Sequence, residues 1–291
     1  MQIAVLSDIH GNYIALQECL RHAEEQKVDA YLFLGDYLGE FPNPQKTMKM
    51  LYALRKKHDC YFIRGNKEDY WINCRKGTSC DWTNGNHGIG AMKYCFENLV
   101  PEDIDFFESL PIKQKVCFEN HEPILICHGT PADNRGTIPL EEENIQKVLG
   151  EYSERYIVCG HTHEKRAILS TDKIILNAGS VGIPLHEKRK TQYMLLSSEG
   201  REWKYRFICL DYDVDAVVRE IHESGLVARA PYWCKITEHL LYTGEISHGV
   251  ALYEVMRLNE YRDAWYNIEE KYWEKALKTL GMQSESIPSM K

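Results

Sequence analysis

The sequence predicts an α/β fold with two sheets, because short apolar runs first alternate with amphipathic helices and then follow one another closely. Five runs rich in β-branched and aromatic residues each end close to a glycine, as buried strands do when they stop in a turn. These runs cover residues 3–6, 31–34, 60–64, 124–127 and 156–159. The initial β-α-β-α-β alternation predicts a mainly parallel sheet with right-handed crossovers. The closely spaced strands after residue 155 predict a second, more antiparallel sheet packed on the first.

The segments between these strands carry helix signals. Apolar residues recur at helical spacing over residues 12–26, and Asn12 is placed to cap that helix. Pro44 opens a second helix that runs to about residue 57, since proline is favoured in the first turn. Further helices are predicted near residues 68–73, 89–99 and 101–109. Residues 112–127 are predicted to form a β-hairpin.

The pattern changes at about Asp213, after which the chain reads as helical to about Gly281. We therefore divide the chain into a domain over residues 1–212 and a helical appendage over residues 213–291. Three of the six tryptophans lie in the appendage. We interpret them as packing on the main domain or on a partner subunit, which leaves a homo-oligomer open. An aromatic wall that stacks a nucleobase is the less favoured interpretation.

Composition excludes several classes of protein. The 291 residues carry a formal net charge of −8, so the chain lacks the basic footprint of a protein that binds nucleic-acid polymers. Its ten cysteines are scattered without a C-x-x-C pair, which is typical of a reducing compartment. The chain starts directly with a strand, and no apolar run is long enough to span a bilayer. We therefore expect a soluble cytoplasmic protein with no membrane partner.

Metal-capable side chains follow the predicted strands. The set consists of Asp8, His10, Asp36, Asn66, His128, His161 and His163. Because ligands bind outside the carboxyl ends of strands in open α/β sheets, these side chains are expected to meet in one crevice. Asp8 and His10 are two residues apart, so in extended chain both would leave the same face. Any one of them alone is more commonly a helix cap or a core residue, but together they suffice for two cations.

The order of these residues resembles the motifs of the calcineurin-like metallophosphoesterases. The matching motifs are Asp8-x-His10, Gly35-Asp36, Gly65-Asn66, His128-Gly129 and Gly160-His161-x-His163. The resemblance covers roughly residues 1–210 and is greatest to the small bacterial and archaeal phosphodiesterases related to diadenosine tetraphosphatase, which share the Gly-rich segment at residues 177–184. It implies a four-layer αββα sandwich with a dinuclear metal centre between the sheets.

The resemblance also implies the role of each ligand. One metal would be bound by Asp8, His10 and His163, the other by Asn66, His128 and His161, with Asp36 bridging both. This mixed donor set suits Mn, Fe, Zn or Ni, and we favour Mn. Two such ions lower the pKa of a shared water towards about 7. We therefore expect hydrolysis of a small phosphodiester or nucleoside polyphosphate by a hydroxide held between two metals, with Asp36, Asn66 and Lys67 as catalytic residues.

The third motif departs from the family pattern. Many members have a histidine after Gly-Asn, assigned as general acid or transition-state stabiliser, whereas this chain has Lys67. A lysine supplies positive charge, but with an unperturbed pKa of about 10.4 it is a poor proton donor at neutral pH. Two further side chains, Asn12 and Arg135, are candidates for contacts with the substrate phosphate. His87 and His121, in predicted loops, are expected on the surface.

Four further histidines lie in predicted helices. The histidines in helical patterns are interpreted as solvated or packing residues, namely His22, His222, His239 and His248.

The alternative enzyme class is a phosphomonoesterase, including a protein phosphatase. The alternative outside enzymes is a non-catalytic scaffold that binds a partner through the metal site. Such scaffolds usually lose ligands, and none of the seven is missing here.

Overall fold

The computed structural model of the chain describes residues 1–78 and 88–282. It has two five-stranded sheets packed face to face, with helices on both outer faces. The strands are β1 Gln2–Leu6, β2 Ala30–Phe33, β3 Asp59–Phe62, β4 Lys113–Val116, β5 Ile124–Cys127, β6 Tyr156–Cys159, β7 Lys165–Leu169, β8 Ile174–Ala178, β9 Lys190–Glu199 and β10 Glu202–Asp211. The predicted α/β class and four-layer sandwich are confirmed.

Both sheets are mixed. The first has the order β10-β9-β1-β2-β3, in which β1, β2 and β3 are parallel and β9 runs antiparallel to β1 and β10. The second has the order β4-β5-β6-β8-β7, with β5, β6 and β8 parallel and both edge strands antiparallel. The parallel strands thus form one side of the first sheet, with β3 at its edge, and the centre of the second sheet. The motif residues follow the carboxyl ends of β1, β2, β3, β5 and β6.

Eleven helices and one short 3₁₀ helix lie in the described residues. They are α1 Tyr13–Glu25, α2 Pro44–Leu54, α3 Asn66–Lys76, α4 Gly88–Glu97, α5 Pro101–Ser109, α6 Glu142–Leu149, α7 Val214–Glu223, α8 Leu226–Arg229, α9 Pro231–Thr243, α10 His248–Leu258 and α11 Glu270–Thr279, with the 3₁₀ turn at Trp265–Asn267. Asn12 caps α1 as expected, since its Oδ1 accepts the Ala15 N–H at 3.1 Å. None of these helices is long and apolar enough to cross a membrane.

The period-2 alternation of β1 explains the layers. Ile3 and Val5 face the second sheet and are buried in the inter-sheet core, whereas Ala4 and Leu6 pack against the helices of the outer layer. On the far side, α6 covers the second sheet through Ile145 and Leu149. The strands β1, β2, β5 and β6 bury both faces, which accounts for their uninterrupted apolar sequences.

The C-terminal helices α7 to α11 share one hydrophobic cluster with the main domain. Trp233 and Trp273 lie in this cluster together with Phe41 and Ile183, which come from the loops after β2 and β8. The appendage is therefore packed on the main domain through its tryptophans. Its attachment beside these two loops places it next to the carboxyl ends of β2 in the first sheet and β8 in the second.

Candidate metal centre

The candidate ligands meet at the carboxyl ends of the parallel strands through an unusual backbone conformation. Five of them have left-handed φ angles, namely Asp8 at 54°, His10 at 56°, Asp36 at 53°, His161 at 69° and His163 at 60°. Such angles cost roughly 1–3 kcal/mol at a non-glycine residue and cluster at functional sites. The prediction that Asp8 and His10 leave one face of an extended strand was wrong, because β1 ends at Leu6, before both residues. The left-handed turns, rather than strand alternation, aim these side chains into one space.

One ligand group consists of Asp8, His10 and His163, whose donor atoms all lie within 4.8 Å of one another. The two Nε2 atoms of His10 and His163 are 3.0 Å apart, and His163 Nε2 is 3.3 Å from Asp8 Oδ1. Two nitrogen ligands at right angles around one ion, each about 2.1 Å from it, are separated by about 3.0 Å. The spacing thus fits a single transition-metal ion.

The second group consists of Asp8, Asp36 and His128. His128 Nε2 lies 3.5 Å from Asp36 Oδ1, 3.9 Å from Asp8 Oδ1 and 3.1 Å from Asn66 Oδ1. Asp36 faces both groups, since its Oδ2 is 4.0 Å from His10 Nε2. Asp8 Oδ1 belongs to both groups as well, a sharing that the resemblance did not imply.

His161 lies beside the second group without joining the tight cluster. Its ring packs edge-on against His128, with centroids 5.1 Å apart, and its backbone N–H donates to Asp8 Oδ2 at 2.9 Å. Burial and the neighbouring His128 lower the pKa of His161, so the ring is neutral at pH 7. A neutral imidazole at the edge of the cluster can serve as a metal ligand.

Two observations test whether the site suits cations. Asp8 Oδ1 is buried and has no hydrogen-bond partner among the described residues, and a buried carboxylate oxygen without a partner is costly. His128 Nδ1 lies 2.8 Å from the Leu34 carbonyl oxygen, so Nδ1 is the donor to this carbonyl and Nε2 is the nitrogen that faces the ligand group. The residues therefore offer one buried carboxylate oxygen without a hydrogen bond and an imidazole whose Nε2 is directed at the site.

The ionisation of Asp8 and His10 also indicates a site that suits cations. Burial opposes the charge on Asp8, but the nearby His128, His10 and His163 outweigh burial and hold its pKa well below the usual range. Burial also disfavours a charged His10, yet the carboxylates of Glu40, Asp8 and Asp36 raise its pKa to about 10. A cation binding to His10 must displace this proton, so metal affinity is expected to fall as the pH falls.

Glu40 is a functional residue that the sequence reasoning missed. It is only 3% exposed, and its Oε2 lies 2.5 Å from His10 Nδ1. A carboxylate behind a metal-binding histidine fixes the tautomer of that ring and raises its basicity. The signal was weak, since Glu40 sits in a loop of glycine and proline with nothing in its spacing to connect it to His10.

Glu68 is a second carboxylate whose role only the structure reveals. Its Oε2 accepts the backbone N–H groups of Asp36 and Gly65 at 2.9 and 2.8 Å, and its Oε1 accepts that of Tyr37 at 2.9 Å. This fully buried side chain clamps the turn that carries Asp36 onto the turn that carries Asn66. Gly65 is required there, because a Cβ atom would overlap the Asp36 carboxylate.

The Gly-rich segment at residues 177–184 holds two further ligand turns. The Asn177 side chain donates to the Gly160 carbonyl oxygen at 2.6 Å, next to His161. The Ser180 hydroxyl donates to the Asp8 carbonyl oxygen at 2.7 Å. Gly160 itself leaves room for Asp8, since a side chain at this position would overlap the Asp8 carboxylate. This segment thus positions ligands and contributes none itself.

Lys67 lies at the edge of the cleft with its ammonium held by Glu40. Its Nζ is 2.7 Å from Glu40 Oε1, and its side chain is 14% exposed. Burial disfavours the ammonium, but Glu40 and Asp36 outweigh burial and raise the pKa of Lys67 to about 12. Lys67 is therefore a fixed positive charge at neutral pH.

The two candidate phosphate contacts are placed elsewhere. The Asn12 amide nitrogen donates to the Gly182 carbonyl oxygen at 3.0 Å, and its oxygen caps α1, so both polar atoms have structural partners. Arg135 is exposed and rests on the Tyr70 ring. Neither lies in the cleft that the candidate ligands line. His121 lies in the turn before β5, beside Trp203, and His87 lies outside the described residues.

The metal cleft has one wall from the C-terminal appendage. This cleft of about 230 Å³ is lined by five of the seven candidate ligands and by Glu40 and Lys67. It is also lined by Trp233 of α9 and by His248 and Leu252 of α10. The interpretation of His248 as a packing residue was incomplete, since its ring packs on Trp233 with centroids 4.4 Å apart and also lines the cleft. A helical pattern alone could not have indicated this position.

The pairing of Glu40 with His10 makes a testable prediction. Glu40→Gln removes the negative charge at nearly constant volume and is expected to weaken metal binding about 10- to 100-fold, as loss of an outer-shell partner does. Calorimetric titration of the metal-free protein with Mn²⁺ measures this change. Glu245→Gln, on an exposed loop, is the matched control. Equal affinity in both variants would show that Glu40 does not support the ligand.

The sequence is similar to one family model and to proteins of several organisms. The model of the calcineurin-like phosphoesterase superfamily domain matches residues 1–201. An uncharacterized protein of Methanocaldococcus jannaschii is 25% identical over 248 residues, which is 79% of this chain and 94% of that protein. A PP2A-like serine/threonine-protein phosphatase of Candida albicans is 30% identical over 129 residues, which is 44% of this chain and 28% of that protein.

Solved structures share the fold. A hypothetical protein from Pyrococcus horikoshii superposes with a TM-score of 0.71 at 22% identity and covers 84% of this chain and 99% of its own. A metallophosphoesterase from Sphaerobacter thermophilus gives a TM-score of 0.61 at 20% identity and covers 79% of this chain and 98% of its own. At these identities the similarity concerns the architecture alone.

Proposed function

The chain belongs to the calcineurin-like phosphoesterase superfamily, and from this premise we propose that it hydrolyses a small phosphodiester or nucleoside polyphosphate in a metal-dependent reaction. The observation that carries the proposal is the pair of overlapping ligand groups that share Asp8 Oδ1. We propose two divalent cations as the cofactor, with Mn²⁺ favoured. One would be held by Asp8, His10 and His163, and the other by Asn66, His128 and His161, with Asp36 shared.

The side chains around the cleft divide the remaining tasks. A bound pair of dications supplies an acidified water and positive charge for the phosphoryl oxygens. Glu40 orients His10, and Glu68 holds the turns of Asp36 and Asn66, so the ligands are fixed before substrate arrives. Lys67 adds a permanent positive charge at the cleft, where it stabilises negative charge that develops on the phosphate.

Metal analysis followed by turnover tests this function. We expect the protein to contain bound divalent metal, chelation to abolish hydrolysis of bis-p-nitrophenyl phosphate, and Mn²⁺ to restore it. Faster turnover of p-nitrophenyl phosphate than of the diester would favour the phosphomonoesterase class instead. Bound metal without turnover of either ester would favour the non-catalytic scaffold. Full turnover by metal-free protein would contradict the proposal altogether.

A further inference from the structure

We propose that the C-terminal appendage supplies the substrate-selecting wall of the metal cleft, and that Trp233, His248 and Leu252 contact an aromatic organic group, such as a nucleobase, on the bound phosphate ester. The inference rests on the proposed function and deepens it, because it names the class of the organic group. All three residues lie beyond the region 1–201 that matches the family model.

The wall and the floor of the cleft differ in character. The floor is formed by Glu40, Lys67 and five of the candidate ligands, all of them polar or charged, namely His10, Asp36, Asn66, His161 and His163. The wall is formed by Trp233, His248 and Leu252, with Ile183 and Leu185 beside them. His248 and Leu252 are one turn apart on α10, so both lie on the same helix face. A phosphate ester held at the floor therefore presents its organic group to a mainly apolar wall.

The hydrogen bonds of His248 show which polar groups the wall accepts. Thr237 Oγ1 lies 2.9 Å from the Trp233 carbonyl oxygen and 2.8 Å from His248 Nε2. When the hydroxyl gives its single proton to the carbonyl oxygen, which can only accept, His248 Nε2 is the donor to Thr237. Burial lowers the pKa of His248 to about 3, so the ring is neutral and its Nδ1 carries a lone pair.

A neutral wall of this kind does not favour a second phosphate group. It offers an acceptor nitrogen rather than a cation, and an acceptor repels anionic oxygens. It suits an apolar ring that carries an N–H donor, as the heterocyclic bases do. Aromatic contact is also prepared in advance, because Trp233 is held between His248 and Trp273, with ring centroids 4.4 and 6.1 Å away.

The size of the cleft sets the scale of the organic group. Its volume of about 230 Å³ lies below the range of about 300–1,000 Å³ that is typical of pockets for drug-sized ligands. A single ring system fits this scale better than an extended peptide does. The wall thus favours a small nucleotide-type ester over a phosphorylated protein.

The test compares two phosphodiesters of equal charge and identical leaving group. Both thymidine 5′-(p-nitrophenyl phosphate) and methyl p-nitrophenyl phosphate release p-nitrophenolate, so only the group that meets the wall differs. We expect the Mn²⁺-loaded wild type to favour the thymidine ester at least about tenfold in kcat/KM, mainly through KM. In Leu252→Ala this preference should fall about tenfold, since loss of apolar contact in a pocket costs on this scale.

Control measurements separate the wall from the chemistry and from folding. Val250→Ala lies on the same helix but is 49% exposed, and it should keep the preference within about twofold. Metal content of Leu252→Ala should match the wild type, and its thermal melt should remain cooperative, although at a lower temperature, because Leu252 packs against the appendage cluster. Calorimetry with thymidine 5′-monophosphate and methyl phosphate measures the same discrimination as binding, without turnover.

The outcomes distinguish this inference from the proposed function. Metal-dependent turnover with equal kcat/KM for both esters, and equal binding of both monophosphates, would overturn the wall while the proposed function stands. If neither ester is hydrolysed, the proposed function fails, and calorimetry alone decides the wall. A preference for thymidine that persists in Leu252→Ala and also in Trp233→Phe would place the aromatic contact elsewhere and overturn the assignment.

Discussion

Asp36→Asn is expected to lower phosphate-ester hydrolysis on the order of 10³-fold and to reduce the amount of bound metal. Asp36 places Oδ1 3.5 Å from His128 and Oδ2 4.0 Å from His10, so one oxygen faces each ligand group. Metal stabilisation of transition-state charge contributes several kcal/mol, and each 1.36 kcal/mol changes a rate tenfold. Weakening the side chain that we propose as the bridge between the two ions should forfeit much of that contribution.

The substitution is isosteric, so its effect can be separated from unfolding. Asparagine retains an oxygen that can accept the Lys67 backbone N–H, now 2.8 Å from Asp36 Oδ1. Metal analysis, the kcat for bis-p-nitrophenyl phosphate and a thermal melt should be measured together. Asp211→Asn makes the same chemical change on an exposed strand end and serves as the control. Wild-type metal content and rate in Asp36→Asn would refute its bridging role.

The second large effect concerns the leaving group. Hydrolysis is expected to slow steeply across aryl methyl phosphates as the leaving group changes from p-nitrophenol to phenol, and alkyl esters should be poor substrates. Lys67 has a pKa of about 12, and His248 Nε2 faces Thr237 Oγ1 at 2.8 Å, so neither side chain is placed to give a proton to the departing oxygen. The reaction is therefore expected to lack the roughly 10²- to 10⁴-fold that general acid catalysis typically provides.

The variant Lys67→Met tests whether Lys67 acts as a fixed charge or as a proton donor. The variant keeps an apolar stem but loses the charge, so it should slow every ester in the series by a similar factor and leave the leaving-group dependence unchanged. Lys204→Met, on the exposed face of β10, is the control. A defect confined to poor leaving groups would identify Lys67 as a proton donor. A shallow dependence in the wild type would point to another donor, and His87 is the first to test.

The family, the fold class and the kinds of ligand were open to sequence reasoning because each depends on local pattern. Apolar runs of four or five residues that end near glycine specify buried strands, and a residue one or two positions after each run supplies a donor atom. Since parallel strands end at one edge of a sheet, these donors were expected in one crevice. The cap at Asn12 and the helix after Pro44 also depend on residues within one turn, and both lie where they were predicted.

What only the tertiary structure decided depends on contacts between distant residues and on backbone angles that residue type does not specify. The left-handed turns at Asp8 and His10 aim the ligands, although alternation along an extended strand was the expected cause. Glu40 reaches His10 from another loop, and Glu68 joins two turns through three backbone N–H groups. No periodicity in the sequence marks either carboxylate, because their partners are selected by packing.

The appendage shows the same division most clearly. Its sequence determined that it is helical and rich in aromatic residues, since both are properties of the segment itself. That His248 and Leu252 line a metal cleft, although every ligand lies before residue 164, was decided by how the appendage packs on Phe41 and Ile183. Hydrophobic burial is non-directional, so an apolar pattern tells that a face is covered but not which site it borders.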